Sequence, residues 1–179
     1  MGRGERLRTD PERMRDAQSA KTRRTEVERL YREYGAGLLA YGCAITVDRA
    51  AAEDVLQQLF LKFLRGDVQL PEMARPYLYR AMRNAALNSR RRVSRETEMD
   101  AEQSWFAVPQ ARTEEALTLQ AELQELPEEQ REAVVLHIWG QLTLQEVAEV
   151  TAVTLNTAAS RYRYGLSKLR ERMRPQGME

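Results

Sequence analysis

Two helix starts in close succession near the C-terminus constrain this chain more than any other feature. Thr143-Leu144-Gln145-Glu146 is a capping box, in which a threonine hydroxyl and a glutamate one turn later each satisfy a backbone N–H of the other. It launches a short run with Leu144, Val147, Ala148 and Val150 turned inward. After a break, Thr154 can cap a longer helix whose stripe is Leu155, Ala158, Tyr162, Leu166, Leu169 and Met173. A short helix, a tight turn and a longer helix with a basic outer face are the physical description of a helix-turn-helix. Ala148 fits it, because a larger side chain where the helices cross would push the second from its docking angle.

Off the apolar stripe of the second helix lie Asn156, Thr157, Ala159, Ser160, Arg161, Arg163 and Tyr164. Their chemistry suits duplex DNA: Arg can bridge guanine O6 and N7, Asn can pair with adenine, and Ser or Thr can bond phosphate or base edges. No acid caps this helix, so its N-terminus also favours a phosphate.

Upstream, the apolar residues again recur at helical spacing. Thr25 and Glu28 suggest a capping box before Val27, Leu30, Tyr31, Tyr34, Leu38, Leu39, Tyr41 and Ile45, which predicts a helix from about 26 to 45. Asp48 and Gly66 bracket a second, with Ala52, Val55, Leu56, Leu59, Phe60, Phe63 and Leu64 inward and Glu53, Asp54, Gln57, Gln58 and Lys62 opposite. A third starts near Pro76 and runs toward Arg92, its polar face collecting Arg80, Arg83, Asn84, Asn88 and Arg91. Beyond the linker, a helix over about 114 to 125 precedes Leu126-Pro127, and Ala133 to Trp139 lead to Gly140 as the expected residue after a helix end.

The formal net charge of +1 hides opposing blocks. Arg75, Arg80, Arg83, Arg90, Arg91, Arg92 and Arg95 face only Glu72 between 70 and 95, and Arg161, Arg163, Lys168, Arg170, Arg172 and Arg174 face only Glu171 between 155 and 174. Eleven carboxylates between Glu96 and Glu132 separate them. Two basic patches divided by acid imply two contacts with one polyanion. Residues 93–113 have no sustained period, so they read as an acidic linker, with Trp105 and Phe106 packing on either domain.

The expected fold is therefore all-α: two small helical domains, 25–95 and 114–174, joined by a flexible linker over 96–113, with a disordered basic extension over 1–24 and a tail over 175–179. The expectation places the two cationic helices on separate lobes that the tether lets reach one nucleic acid at distant points. One cysteine, Cys43, excludes an internal disulfide framework, and no signal or membrane-spanning run is present, so a soluble cytoplasmic protein is expected. An enzyme is not expected: His137 is the one histidine, on a helix expected to be buried, no phosphate-binding glycine loop occurs, and no metal or cofactor is foreseen. Glu53 and Asp54 are adjacent on a helix, so they diverge and cannot flank one substrate.

The stretch from Leu126 to Met173 resembles the promoter-recognition region 4 of bacterial extracytoplasmic-function sigma factors, of the sigma-70 family. Leu126-Pro127, Arg131, Gly140, Glu146-Val147-Ala148, Ser160-Arg161 and Leu169-Arg170 carry the resemblance. Upstream, AAEDVLQQLFLKFLR is similar to the family's polymerase-binding segment of region 2, and RPYLYRAMRNAALNSRRR to its promoter-melting helix. The chain departs from the family at Ala152, usually a turn glycine, at Asn156-Thr157-Ala158 in place of Gly-Thr-Val, and at Gln58, often an acid. The resemblance implies that Glu53, Asp54, Gln57, Gln58 and Phe60 lie on or support a surface for the polymerase clamp helices. It implies that Arg80, Arg83, Asn84, Asn88, Arg90 and Arg91 meet the minus-ten element as it opens, and that Asn156, Thr157, Ala159, Ser160, Arg161, Arg163 and Tyr164 read the minus-thirty-five element. The implied partners are core RNA polymerase, through its clamp helices and flap, promoter DNA and an anti-sigma factor, with no membrane. A stand-alone helix-turn-helix regulator of duplex operators is the competing reading, and it leaves the second basic helix without a purpose.

Overall fold

The computed structural model describes residues 11–68, 74–96 and 114–173, and these form seven helices and no strand. The N-terminal lobe contains α1 (Pro11–Thr46), α2 (Arg49–Arg65) and α3 (Ala74–Glu96). The C-terminal lobe contains α4 (Glu114–Gln124), α5 (Glu128–Ile138), α6 (Leu144–Thr151) and α7 (Leu155–Arg172). The all-helical, two-part architecture is the expected one. Trp105, Phe106 and the expected linker from 97 onward lie outside the described residues, as do 1–10 and the tail.

Helix α1 corrects the sequence reading at its start. The chain from 11 to 24, expected to be disordered, is helical and runs without a break into the segment expected to begin near 26. Thr25 does not cap a new helix; its hydroxyl donates to the Lys21 carbonyl at 3.1 Å, as Thr22 does to Gln18 at 3.0 Å. Glu28 accepts from Arg24 at 2.9 Å instead of reaching back, and Arg29 bridges Glu26 and Glu33, both at 2.7 Å. Apolar periodicity cannot announce an overhanging helix with no core to face. What supports it is an unbroken run without glycine after Pro11, whose missing N–H costs nothing at a first helical position, and ion pairs one turn apart.

Helix α2 follows the expected punctuation. Asp48 Oδ1 accepts from the Ala50 N–H at 2.8 Å, and Gly66, at φ 81, closes the helix with its N–H on the Lys62 and Phe63 carbonyls. Val27, Leu30, Leu38 and Tyr41 of α1, Ala52, Leu56, Phe60 and Phe63 of α2, and Leu78, Tyr79 and Met82 of α3 form the first lobe's core. Leu64, read as inward, is instead 40% exposed, and Leu61 nearby is 44% exposed.

In the second lobe the capping box forms: Thr143 Oγ1 accepts from the Glu146 N–H at 3.2 Å, and Glu146 Oε2 accepts from the Thr143 N–H at 2.8 Å. Thr154 caps α7 through the Thr157 N–H at 3.2 Å. Gly140 does not take the left-handed conformation expected after a helix end; Gln141, at φ 53, does. Gly140 is required for space, since a Cβ there would lie 2.5 Å from the Leu136 carbonyl oxygen. Gly165, to which the sequence assigned no role, lets α7 close on α5, where a Cβ would come within 2.9 Å of Val134. Leu155 and Met173, assigned to the inner stripe, stand at the two ends of α7 with exposures of 46% and 42%.

The larger correction concerns the lobes. They are not apart: α1 packs on α5 and α3 packs on α6. One apolar cluster runs through both lobes, from Val27 to Leu169. At Gly37 the chains approach so closely that a Cβ would lie 2.9 Å from the Trp139 carbonyl.

Ala152 sits at φ 56, ψ 46, a left-handed conformation that costs an L-residue on the order of 1 kcal/mol and glycine almost nothing. Ala152→Gly should therefore stabilise the chain by about 1 kcal/mol, raising the thermal midpoint by roughly 2–4 °C at this chain length. A scanning calorimetry trace with an unchanged or lower midpoint would contradict that reading of the turn.

Candidate nucleic-acid interface

The outer face of α7 is open. Asn156, Arg163 and Tyr164 are exposed, and Thr157, Ala159, Ser160 and Arg161 are half-buried along the same helix, whose packing partners are α4, α5 and α6. Arg163 lies over the Tyr164 ring, 5.1 Å from its centroid, which holds an exposed tyrosine and a cation side by side. Thr157 is partly occupied, its hydroxyl 2.9 Å from that of Thr154. Among the described residues no carboxylate pairs with Arg161 or Arg163. The single histidine is a packing residue: His137 Nδ1 is 2.7 Å from the Leu142 carbonyl, and its ring stands edge-on to Tyr162 at 4.5 Å.

Helix α3 divides what the sequence had grouped as one polar face. Asn84, Asn88 and Arg92 line a groove against α2 with Tyr77, Asp54 and Gln58. Arg83 and Arg90 turn the other way, toward the second lobe. Arg83 Nε donates to Glu132 Oε1 at 2.7 Å and its Nη2 to Oε2 at 3.3 Å. Arg90 meets Glu128 at 2.9 Å and the Ile45 carbonyl at 3.3 Å. Arg80 reaches the Glu149 carbonyl at 3.4 Å, and Arg75 pairs with Glu146 at 3.0 Å. Of the six residues expected at the minus-ten element, Arg80, Asn84, Asn88 and Arg91 are exposed. Among these four, Arg80 is the one with a hydrogen bond to the second lobe within the described residues.

Glu132 is the centre of that seam. It is 6% exposed, and its Oε1 accepts from the Tyr41 hydroxyl at 2.6 Å as well as from Arg83. Burial first, and then the neighbouring Glu132 carboxylate, push Tyr41 well above the ordinary phenol value. The hydrogen bond to Glu132 raises Arg83 further above its already high value. Burial works against ionisation of Glu146, yet the Thr143 backbone N–H and the Arg75 guanidinium outweigh it and hold that carboxyl below its ordinary value. The sequence reading missed Glu132 as a site residue. The available signal was its place one helical turn before Val135 and Leu136, where a carboxylate must find a buried partner.

On α2, Asp54, Gln57 and Gln58 are exposed, and Glu53 is half-buried and paired with Arg49 at 2.7 Å. Phe60, expected on or beneath this surface, lies beneath it: it is 5% exposed and packs edge-on to Tyr31 at 5.1 Å. Among the described residues no group of His, Cys, Asp or Glu could hold a metal ion.

The family model described as Sigma-70 region 2 matches residues 30–96, and the one described as Sigma-70, region 4 matches 116–169. The two segments are those that carry α3 and α7, in the expected order, and together they span well over half the chain. Among solved structures, the chain is similar to the sigma factor RpoE of Bartonella quintana, solved with the anti-sigma factor NepR. That match has a TM-score of 0.68 and 19% identity over 84% of this chain and 99% of the other. It is also similar to CnrH, solved with the cytosolic domain of CnrY, at a TM-score of 0.62 and 20% identity over 94% of this chain and 100% of that one. No curated protein sequence matches. The chain belongs to the sigma-70 family of RNA polymerase sigma factors, in its extracytoplasmic-function branch.

Tyr41→Phe removes one of two partners of a buried carboxylate while keeping the ring. It should cost about 2 kcal/mol of stability, the range for hydrogen bonds to charged groups. Urea unfolding with an unchanged midpoint would show that the Tyr41–Glu132 contact contributes nothing.

Proposed function

We propose that this chain directs core RNA polymerase to promoters and assists their opening, with no catalytic activity of its own, in the cytoplasm. The observation that carries the reading is the pairing of two family-matched segments with two cationic helices, α3 and α7, on one chain. A stand-alone operator-binding regulator would use α7 and leave α2 and α3 idle. Among the described residues no helix is long and apolar enough to cross a membrane, which agrees with a protein that works beside the chromosome.

The roles follow from chemistry. Residues 114–174 are the unit that reads the minus-thirty-five element as duplex, through Asn156, Thr157, Ala159, Ser160, Arg161, Arg163 and Tyr164 in the major groove. Residues 25–95, to which the helical turns from Pro11 add a spur, are the unit that holds polymerase and the minus-ten element. Glu53, Asp54, Gln57 and Gln58 present the polymerase surface and Phe60 supports it from within. Arg80, Arg83, Asn84, Asn88, Arg90 and Arg91 meet the opening strand, and a helix offering cations to phosphates and a groove to unstacked bases favours single-stranded DNA over duplex. An anti-sigma factor is a further expected partner, as for the two factors of similar fold. Run-off transcription with core polymerase on a pool of genomic fragments tests the proposal. Discrete transcripts dependent on the chain support it, and a duplex shift without polymerase together with no transcripts would favour the regulator.

Arg161→Ala should cost about 1–3 kcal/mol of promoter binding and relax base preference at one position, as loss of a bidentate guanine contact does. Unchanged selectivity in a promoter-library assay would remove Arg161 from the reading set. Asp54→Arg reverses an exposed charge on α2 and should cut co-purification with core polymerase at least tenfold without altering helix content. Normal co-purification would retire the α2 surface.

A further inference from the structure

The edge of α3 assigned to promoter DNA is the edge that the second lobe covers. Arg83 presents its guanidinium fork to Glu132 through two donors, at 2.7 and 3.3 Å, the two-pronged geometry by which arginine also binds phosphate. Arg75 meets both oxygens of Glu146, at 3.0 and 3.1 Å, and Arg90 meets Glu128 at 2.9 Å. Arg80 takes a backbone carbonyl of α6. Every one of these partners lies on α5 or α6, and every one is an oxygen acceptor. Meanwhile α7 packs only against its own lobe among the strong helix contacts, with Asn156 and Arg163 outward.

We propose that this closed arrangement is a self-masked state, in which the carboxylates of α5 and α6 occupy the α3 arginines in place of nucleic-acid phosphates and withhold them until the lobes part. The inference rests on the DNA role proposed for α3. Arg83 cannot turn to a phosphate while Glu132 stays where it is, because Glu132 would then be left in an apolar seam with Tyr41 as its remaining partner. Release of the arginines and separation of the lobes are therefore one event. The duplex-reading face of α7 stays available throughout, so the masked chain can engage a minus-thirty-five element and still be unable to grip single-stranded DNA.

The chain carries its own reporter of this opening. Cys43, its one cysteine, is 1% exposed and lines a small void between the lobes with Ala44 and Val47 on one side and Gln120, Leu123, Gln124, Arg131 and Val135 on the other. Burial pushes its thiol up to about 12, so it is unreactive while the lobes are together and regains ordinary reactivity when they separate.

Iodoacetamide labelling of the full chain at pH 8 and fluorescence anisotropy with a randomised single-stranded DNA pool test the proposal together. Glu132→Gln keeps size and the contact with Tyr41 but removes the charge that holds Arg83. It should label at least ten times faster than the unmodified chain and bind the pool at least fivefold more tightly. Glu128→Arg acts at the exposed end of the seam, where folding is not at stake, and should move both readouts the same way by about threefold. Labelling rates equal to the unmodified chain in both variants would overturn the proposal. So would acceleration in E132Q alone, which would report local unfolding around a buried site. Faster labelling in both without tighter binding would overturn the masking and place the failure in the DNA role assigned to α3.

Discussion

Glu132 sits at the centre of an interface that is otherwise apolar, and a buried carboxylate stripped of its partners costs several kcal/mol. Its two partners come from different helices of the other lobe, the Tyr41 hydroxyl from α1 and the Arg83 guanidinium from α3. The registry of the two lobes follows from that requirement. With Glu132 fixed, α5 lies along α1, Gly37 meets the Trp139 carbonyl, and the first turn of α6 comes under Arg75. The capping glutamate of α6 thereby serves twice, closing its own helix start at Thr143 and taking the arginine across the seam.

The seam combines two kinds of attraction with different consequences. The apolar part is non-directional and favours closeness, whereas the charged part is directional and favours one orientation. The outer ion pairs, such as Arg90–Glu128, are solvent-exposed and contribute little to stability, so the orientation rests mainly on the half-buried Arg83–Glu132 pair. An interface specified this way can be reopened by any polyanion that offers arginine a comparable set of oxygens. Initiation supplies one.

The local grammar of this chain was highly legible. Asp48 with Gly66, Thr143 with Glu146, and Thr154 each mark helix ends by side-chain hydrogen bonds made within a turn of sequence, and all three form. The family motifs rest on the same local chemistry and located the two functional helices. The errors arise where tertiary context decides. Thr25 looked like a cap because a serine or threonine hydroxyl serves a helix start and a running helix equally well, and only the preceding residues' state distinguishes them. Leu64 and Leu155 fit the apolar period yet fall at the ends of their helices, past the rim of the core. The α3 polar face spans an arc wide enough to serve two partners, and periodicity cannot divide it between a groove on α2 and a seam on α5. The pairing of Arg83 with Glu132 joins positions distant in sequence, for which spacing holds no information.

The interlobe distance is the quantity on which this account turns. Exposed Arg65, at the end of α2, and exposed Lys168, on α7, can be replaced by cysteines and labelled with a fluorophore pair while Cys43 stays buried. Single-molecule energy transfer on the free protein should give one narrow, short-distance population, and addition of core polymerase with promoter DNA should replace it with a long-distance one. A free chain already distributed over long distances, or a promoter complex that keeps the short distance, would contradict the account.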